Sequence, residues 1–471
     1  MPDPVPATSP AATPAASTLR RVLARIALGL ILLLLLLIGA LWLRPPDLLR
    51  VGANYSAKIV CSNVFLAGRD PQEVLRTDVQ APGIALLRLM RVSVDREQHV
   101  VRAGLLGFIG NGLAVARPGM GCSVVPDGNL HFAEHLSVQP HETVAAASVA
   151  PWPEGNSVTT TPALDRILAD DALAGPGMRA IVVVHDGRIV AERYALGFSA
   201  STPLLGWSMA KSVVAGLVGM LVKDGRLTLE QSAGWPATGD RARIRIADLL
   251  AMSSGLRFNE GYGTVSDITR MLYLQPDMAG FARDQPLLHP PGEYWSYSSG
   301  SANILSRIVQ DAAGPLGAAY PAERLFMPLG MTSAIIETDE YGTLVGSSYM
   351  YASARDWARY GLFLAQGGVW RGQEFLPPGY VATMASPAAP SRGEYGRGLV
   401  WLWGSSAVTA GQNPDAAFGI PADAFWMEGH DGQSTAIIPS QHLVVVRLGL
   451  TPSSNHYQPQ PLLKAILGAL R

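Results

Sequence analysis

The chain has 471 residues, too many for one ordinary domain, so two or three units are expected. Hydrophobic residues make up 48% and charged residues 15%, which argues for globular folding plus an apolar membrane segment and against disorder. The formal net charge is −1 and no basic tract lies outside the N-terminal flank, so nucleic-acid binding has no support.

Residues 1–19 are rich in Ala, Pro, Ser and Thr, and with Arg20, Arg21 and Arg25 they make residues 1–25 an expected disordered cytoplasmic tail. Eighteen uncharged residues follow, from Ile26 to Leu43, just enough to cross a bilayer as a helix. The three arginines mark the cytoplasmic side, which would leave the remainder in the periplasm on a single inner-membrane span. The alternative is a cleaved signal peptide and a soluble exported protein. The apolar run is long for a signal sequence, and Ile38-Gly39-Ala40 is a poor cleavage site, so an uncleaved anchor is the favoured reading. Arg20-Arg21 matches a twin-arginine export signal only weakly.

Residues 51–138 read as a small accessory unit. Leu89–Val94, Val100–Leu106 and Leu113–Ala116 have the composition of short strands between turns. The only two cysteines, Cys61 and Cys122, are a disulfide candidate in an oxidising compartment; two buried free thiols are the alternative. His131-Phe132-Ala133-Glu134-His135 spells a zinc-peptidase pattern, with His141 and Glu142 nearby. That chemistry needs a stable helix and a third ligand, and the stretch is confined between Asp127-Gly128-Asn129 and Pro140. It is therefore read as a polar surface segment, and no metal is expected. Pro140, Pro151 and Pro153 mark residues 139–161 as a linker.

Residues 162–471 form the third unit. Met178–Val184 and Ile189–Tyr194 flank an Asp186-Gly187 turn, the signature of a hairpin. Next comes Gly206-Trp207-Ser208-Met209-Ala210-Lys211, opening an apolar helical stretch that runs to Leu221. Residues three apart share a helix face, so the Lys211 amine can reach the Ser208 hydroxyl and activate it. The helix N-terminus also favours negative charge developing nearby. Only four of the 36 basic residues are lysines, so with 34 serines about 0.3 Ser-x-x-Lys matches are expected by chance. A helix-capping serine followed by a surface lysine is the bland alternative. The apolar sequence after Lys211 argues that the lysine is buried, and a buried lysine usually has a partner or a task.

Leu249 to Leu256, then a loop-rich stretch with Tyr262, lead to Tyr294-Trp295-Ser296-Tyr297-Ser298-Ser299-Gly300 and a helical pattern over Ala302–Val309. Helices are also expected at Ala322–Leu329 and Ala354–Ala365. Glu428-Gly429-His430-Asp431-Gly432-Gln433 precedes two runs fit for paired strands, Ala436–Ile438 and Leu443–Leu448. Strands at both ends with helices between predict an α/β fold: one antiparallel sheet built from the termini of this unit, flanked by helices and carrying a helical insertion.

Ser208-x-x-Lys211, Tyr297-Ser298-Ser299 and His430-Asp431-Gly432, in that order and spacing, resemble the three motifs of the β-lactamase and penicillin-binding serine hydrolases, class C branch. The Tyr-Ser-Ser and Gly-His-x-Gly-Gln versions look especially like the 6-aminohexanoate-dimer hydrolases and related esterases. The resemblance covers roughly residues 160–471. It implies that Ser208 attacks a carbonyl to form an acyl-enzyme, that Lys211 and Tyr297 handle the protons, and that the backbone amides of Ser208 and Gln433 form an oxyanion hole. Ser299, His430, Gly432 and Tyr262 would contact substrate, Gly432 by letting the strand backbone approach closely. A rival alignment takes Ser296-x-Ser298 as the second motif. Two departures stand out. His430 replaces a lysine, and Ser299 replaces an asparagine. Both weaken the case for efficient β-lactam hydrolysis and favour a small ester or linear amide as substrate, with no cofactor. A penicillin-binding-type peptidase or β-lactamase, and a non-catalytic binding module on the same fold, are the alternatives.

Overall fold

The computed structural model describes residues 15–138, 149–405 and 412–471. It begins with helix α1, Ala15–Leu43, with nothing buried over Leu19–Leu43. The helix therefore starts eleven residues before the expected span and takes in Arg20, Arg21 and Arg25, so the expected disordered tail is helical from Ala15 onward. The physical reason is local: no proline or glycine interrupts Ala15 to Leu28, and nothing there resists helical geometry.

Helix α2, Asp47–Phe65, follows after only Arg44-Pro45-Pro46. Sequence reading gave no helix here, and the expected start of the accessory unit at residue 51 falls inside it. α2 lies against an antiparallel sheet, β1 Met90–Asp95, β2 Val100–Leu105, β3 Ile109–Arg117 and β4 Gly121–Val124, paired in sequence order. A Cβ on Gly112 would sit 2.3 Å from the Ala53 backbone, so glycine is what lets β3 cross α2 this closely. Cys61 of α2 and Cys122 of β4 form a disulfide, with Cα atoms 6.0 Å apart.

This N-terminal unit shares its main core with the rest of the chain. Val60, Val64 and Val124 pack in the same apolar cluster as Val213, Leu217 and Trp357. Only Val100, Leu113, Val115, Val125 and Ala133 form a small core of its own. Polar ties cross the junction as well. The buried Lys58 amine pairs with the Glu337 carboxylate, which also accepts from Ser62 and from the Cys122 amide. Asp78 pairs with Arg179 at 2.6 Å, and Asn54 donates to the Tyr273 carbonyl at 2.7 Å.

The second sheet has five antiparallel strands. β5 Met178–His185 and β6 Arg188–Tyr194 form the expected hairpin, and β7 Phe425–Gly429, β8 Gln433–Ile438 and β9 Leu443–Gly449 return from the far end of the chain. Their order is β7-β8-β9-β5-β6, with Val445 opposite Val183. Alternation along β5 decides the layers. Ile181 and Val183 face Leu164, Leu168, Leu463 and Ile466 of two terminal helices, whereas Val182 and Val184 face the helical insertion. The insertion includes α3 Ala210–Lys223, α4 Ser299–Ala313 and α5 Ala354–Ala365. Gly216 of α3, a weak helix former, is explained by packing: a Cβ there would lie 2.5 Å from the Tyr360 hydroxyl, which donates to the Ser212 carbonyl.

Candidate active site

Ser208 sits in a single 3₁₀ turn, Trp207–Met209, that feeds directly into α3. Trp207 has φ +49°, a left-handed conformation costing a non-glycine residue on the order of 1–3 kcal/mol. Packing holds it there. Its buried indole lies 5.5 Å from the His430 ring, 6.2 Å from Tyr349 and 6.4 Å from Tyr262, between centroids. The turn also leans on the end of β7, where a Cβ on Gly429 would lie 2.1 Å from the Gly206 carbonyl oxygen.

Lys211, one helical turn on, is 1% exposed. Its Nζ donates to Ser208 Oγ at 2.8 Å, to Ser299 Oγ at 3.0 Å and to the Ser347 carbonyl at 2.7 Å. Burial lowers the amine to about 8, with the nearby Glu260 carboxylate pulling the other way. A neutral fraction able to take a proton is thus available at ordinary pH.

Tyr297 joins the pair. Its ring centroid is 4.9 Å from Lys211 Nζ and it stacks on Trp401 at 5.3 Å and 27°. Burial drives the phenol upward, Glu260 adds to this, and a hydrogen bond with Ser208 opposes it. Hydroxyl, amine and phenol therefore meet, although 89 positions separate Ser208 from Tyr297.

Other expected site residues fall differently. Ser299 is fully buried behind Lys211, accepting from its amine and donating to Glu260 Oε2 at 3.0 Å; it supports the lysine and offers no surface to a substrate. Gly432 has φ +77°, and a Cβ there would meet Arg447 and Thr451 at 3.1 Å. Its freedom is used by the turn between β7 and β8. The Gln433 side chain is spent on the same turn, donating to Gly449, His430 and Asp431 carbonyls. His430 stacks on Tyr262 at 4.4 Å and 24°, with its Nε2 3.4 Å from Asp431 Oδ1. His131 lies within a five-residue helix, Leu130–Glu134, and His135 caps its C-terminus, both exposed and with ring centroids 4.3 Å apart. His141 and Glu142 lie outside the described residues.

Glu260, which the sequence did not single out, is the carboxylate that meets this cluster. It accepts from both the amide and the hydroxyl of Ser299, and burial raises its carboxyl, against the pull of Lys211. Its one signal was a carboxylate two positions before Tyr262, in a loop where acids are ordinary.

A profile of the family described as Beta-lactamase matches residues 168–462, and the chain belongs to that family. No curated protein matches it in sequence. Among solved structures it is similar to a Bacillus anthracis protein assigned provisionally as a 6-aminohexanoate-dimer hydrolase, at 23% identity and TM-score 0.51, over 64% of this chain and 79% of that one. It is also similar to a penicillin-binding protein homologue of Caulobacter crescentus and to a family VIII carboxylesterase. Each shows 16% identity and TM-score 0.51, over 66% of this chain and 99% of the other. These likenesses show the fold: the α/β arrangement of an antiparallel sheet flanked by helices that the motifs had implied.

Proposed function

We propose that this protein is a serine hydrolase that cleaves a small ester or linear amide through an acyl-enzyme on Ser208. The observation that carries the reading is the 2.8 Å contact between Ser208 Oγ and a buried lysine held at about 8. In acylation, neutral Lys211 takes the serine proton as Oγ bonds to the carbonyl carbon. Tyr297 delivers a proton to the leaving oxygen or nitrogen as its bond to that carbon breaks, and the Lys211 ammonium passes the proton taken from Ser208 to the resulting phenolate, which resets both groups. Water then attacks the acyl-serine, releasing the acid and restoring the hydroxyl. The backbone amides of Ser208 and Gln433 are the donors assigned to the oxyanion. His430, where the family pattern has a fixed cation, supports neutral substrates over β-lactams bearing a carboxylate.

The exposed apolar length of α1 supports a single membrane anchor, with the hydrolase on the side away from Arg20, Arg21 and Arg25, in the periplasm. The experiment is intact-protein mass spectrometry of the full chain with a fluorophosphonate and with a panel of esters, amides and β-lactams. An adduct on Ser208 that is lost in Ser208→Ala is expected. Undiminished ester hydrolysis by Ser208→Ala overturns the reading.

A further inference from the structure

A cavity of about 170 Å³ lies between α2 and the catalytic region. The N-terminal unit supplies one wall, with Leu48, Val51 and Tyr55 of α2 and the turn bearing Ile84 and Leu86. Trp207, Tyr262, Thr264 and His430 supply the other. Trp207 directly precedes Ser208 in sequence, so one wall of the cavity belongs to the turn that carries the proposed nucleophile. Its size is close to that in which an engineered apolar cavity admits benzene, enough for a short aliphatic segment. Among the described residues no lysine or arginine lines it, and the one carboxylate that does, Asp431, would repel an acidic substrate.

Helix α1 contacts β3, which begins directly after Phe108 at the hairpin tip. Leu48 and Ile84, both lining residues, are also partly exposed. Leu48 stands five residues after the end of α1 at Leu43. Ile84 begins a short turn that ends at Leu89, whose carbonyl accepts from the Leu106 amide; Leu89, Leu106 and Phe108 are exposed too. Start of α2, turn and hairpin tip thus gather apolar side chains beside the anchor, where a bilayer surface would cover them.

We propose that the N-terminal unit completes the substrate site, and that the substrate is a neutral amphiphile carrying an aliphatic chain, drawn from the membrane into the cavity between α2 and the Tyr262 loop. This rests on the acyl-serine reading for its chemistry. Each buried methylene should raise kcat/KM by about fourfold until the cavity is filled.

The test uses the full chain in phosphatidylcholine nanodiscs with p-nitrophenyl acetate and octanoate. Partition of the longer ester into the disc is common to all variants, so the octanoate-to-acetate ratio of kcat/KM is compared among them. Ile84→Trp from one wall and Thr264→Trp from the other should each lower that ratio at least tenfold. Phe108→Asp, outside the cavity, should lower it by reducing uptake from the disc. Unchanged ratios in the two tryptophan variants overturn the chain pocket, and an unchanged ratio in Phe108→Asp overturns entry from the membrane. Should Ser208→Ala hydrolyse as well as the native protein, the acyl-serine reading fails separately. The cavity is then judged by binding of a neutral probe, N-undecyl dansylamide, to the Ser208→Ala protein. Binding weakened tenfold by Ile84→Trp supports the pocket, and equal binding overturns it.

Discussion

Lys211 and Glu260 are joined through one hydroxyl: Ser299 accepts from the amine at 3.0 Å and donates to the carboxylate at 3.0 Å. The Lys211 contact to Ser208 on the other side completes a chain of hydrogen bonds from a buried acid to the Ser208 hydroxyl. Burial opposes the charge on both ends, lowering the lysine and raising the glutamate.

A base held at about 8 has a visible consequence. With a neutral ester, kcat/KM should fall about tenfold per pH unit below that value, as Lys211 becomes protonated. A profile flat between pH 6 and about 9 would remove Lys211 from the role of base. Stability should run the same way. The folded lysine binds its proton less tightly than the unfolded one, so this group's contribution to folding improves as pH rises from about 8 towards 10.5.

Glu260→Gln should move the acidic limb of that profile to lower pH, because the carboxylate is what pulls the Lys211 value upward. The rate at the plateau should drop as well, since a misdirected Ser299 no longer orients the amine, by roughly 10-fold to 100-fold. Glu260→Asp should restore part of both. A purely structural glutamate would lower activity equally at every pH.

Tyr297→Phe should discriminate among leaving groups. An alkyl alcohol or an amine needs a proton as it departs, so kcat for those substrates should fall about 10²-fold to 10⁴-fold. A p-nitrophenolate leaves unaided and should be affected far less. Equal losses on both substrates would assign the phenol to positioning alone.

The Lys58–Glu337 pair fastens α2 to the catalytic region with both side chains at 1% exposure or less. Lys58→Met leaves a buried carboxylate without its cation, a change that typically costs about 3–5 kcal/mol. Replacing both residues by apolar ones should recover most of that loss. Urea unfolding of the three proteins measures it.

Removing the Cys61–Cys122 disulfide, which spans 61 positions, should destabilise the chain by about 4 kcal/mol in the chain-entropy account. A Cys61→Ser/Cys122→Ser protein with an unchanged urea midpoint would show that the polar ties to Glu337 already hold α2 against β4.

What the sequence determined by itself was short-range or periodic. The 208–211 pair is visible because helix geometry alone brings positions i and i+3 together, and the hairpin at Asp186-Gly187 because turn chemistry is local. Alternating apolar runs at the two ends of the third unit were enough to place them in one sheet. Only the tertiary structure decided that α2 closes over the catalytic region, that Ser299 turns inward to the lysine, and that Glu260 is buried behind it. Nothing in the neighbours of Glu260 distinguishes it from a surface acid. Its role depends on a desolvated space made by segments 39 and 49 residues away in sequence, where Ser299 and Lys211 lie, and long-range packing of that kind leaves no periodic trace along the chain.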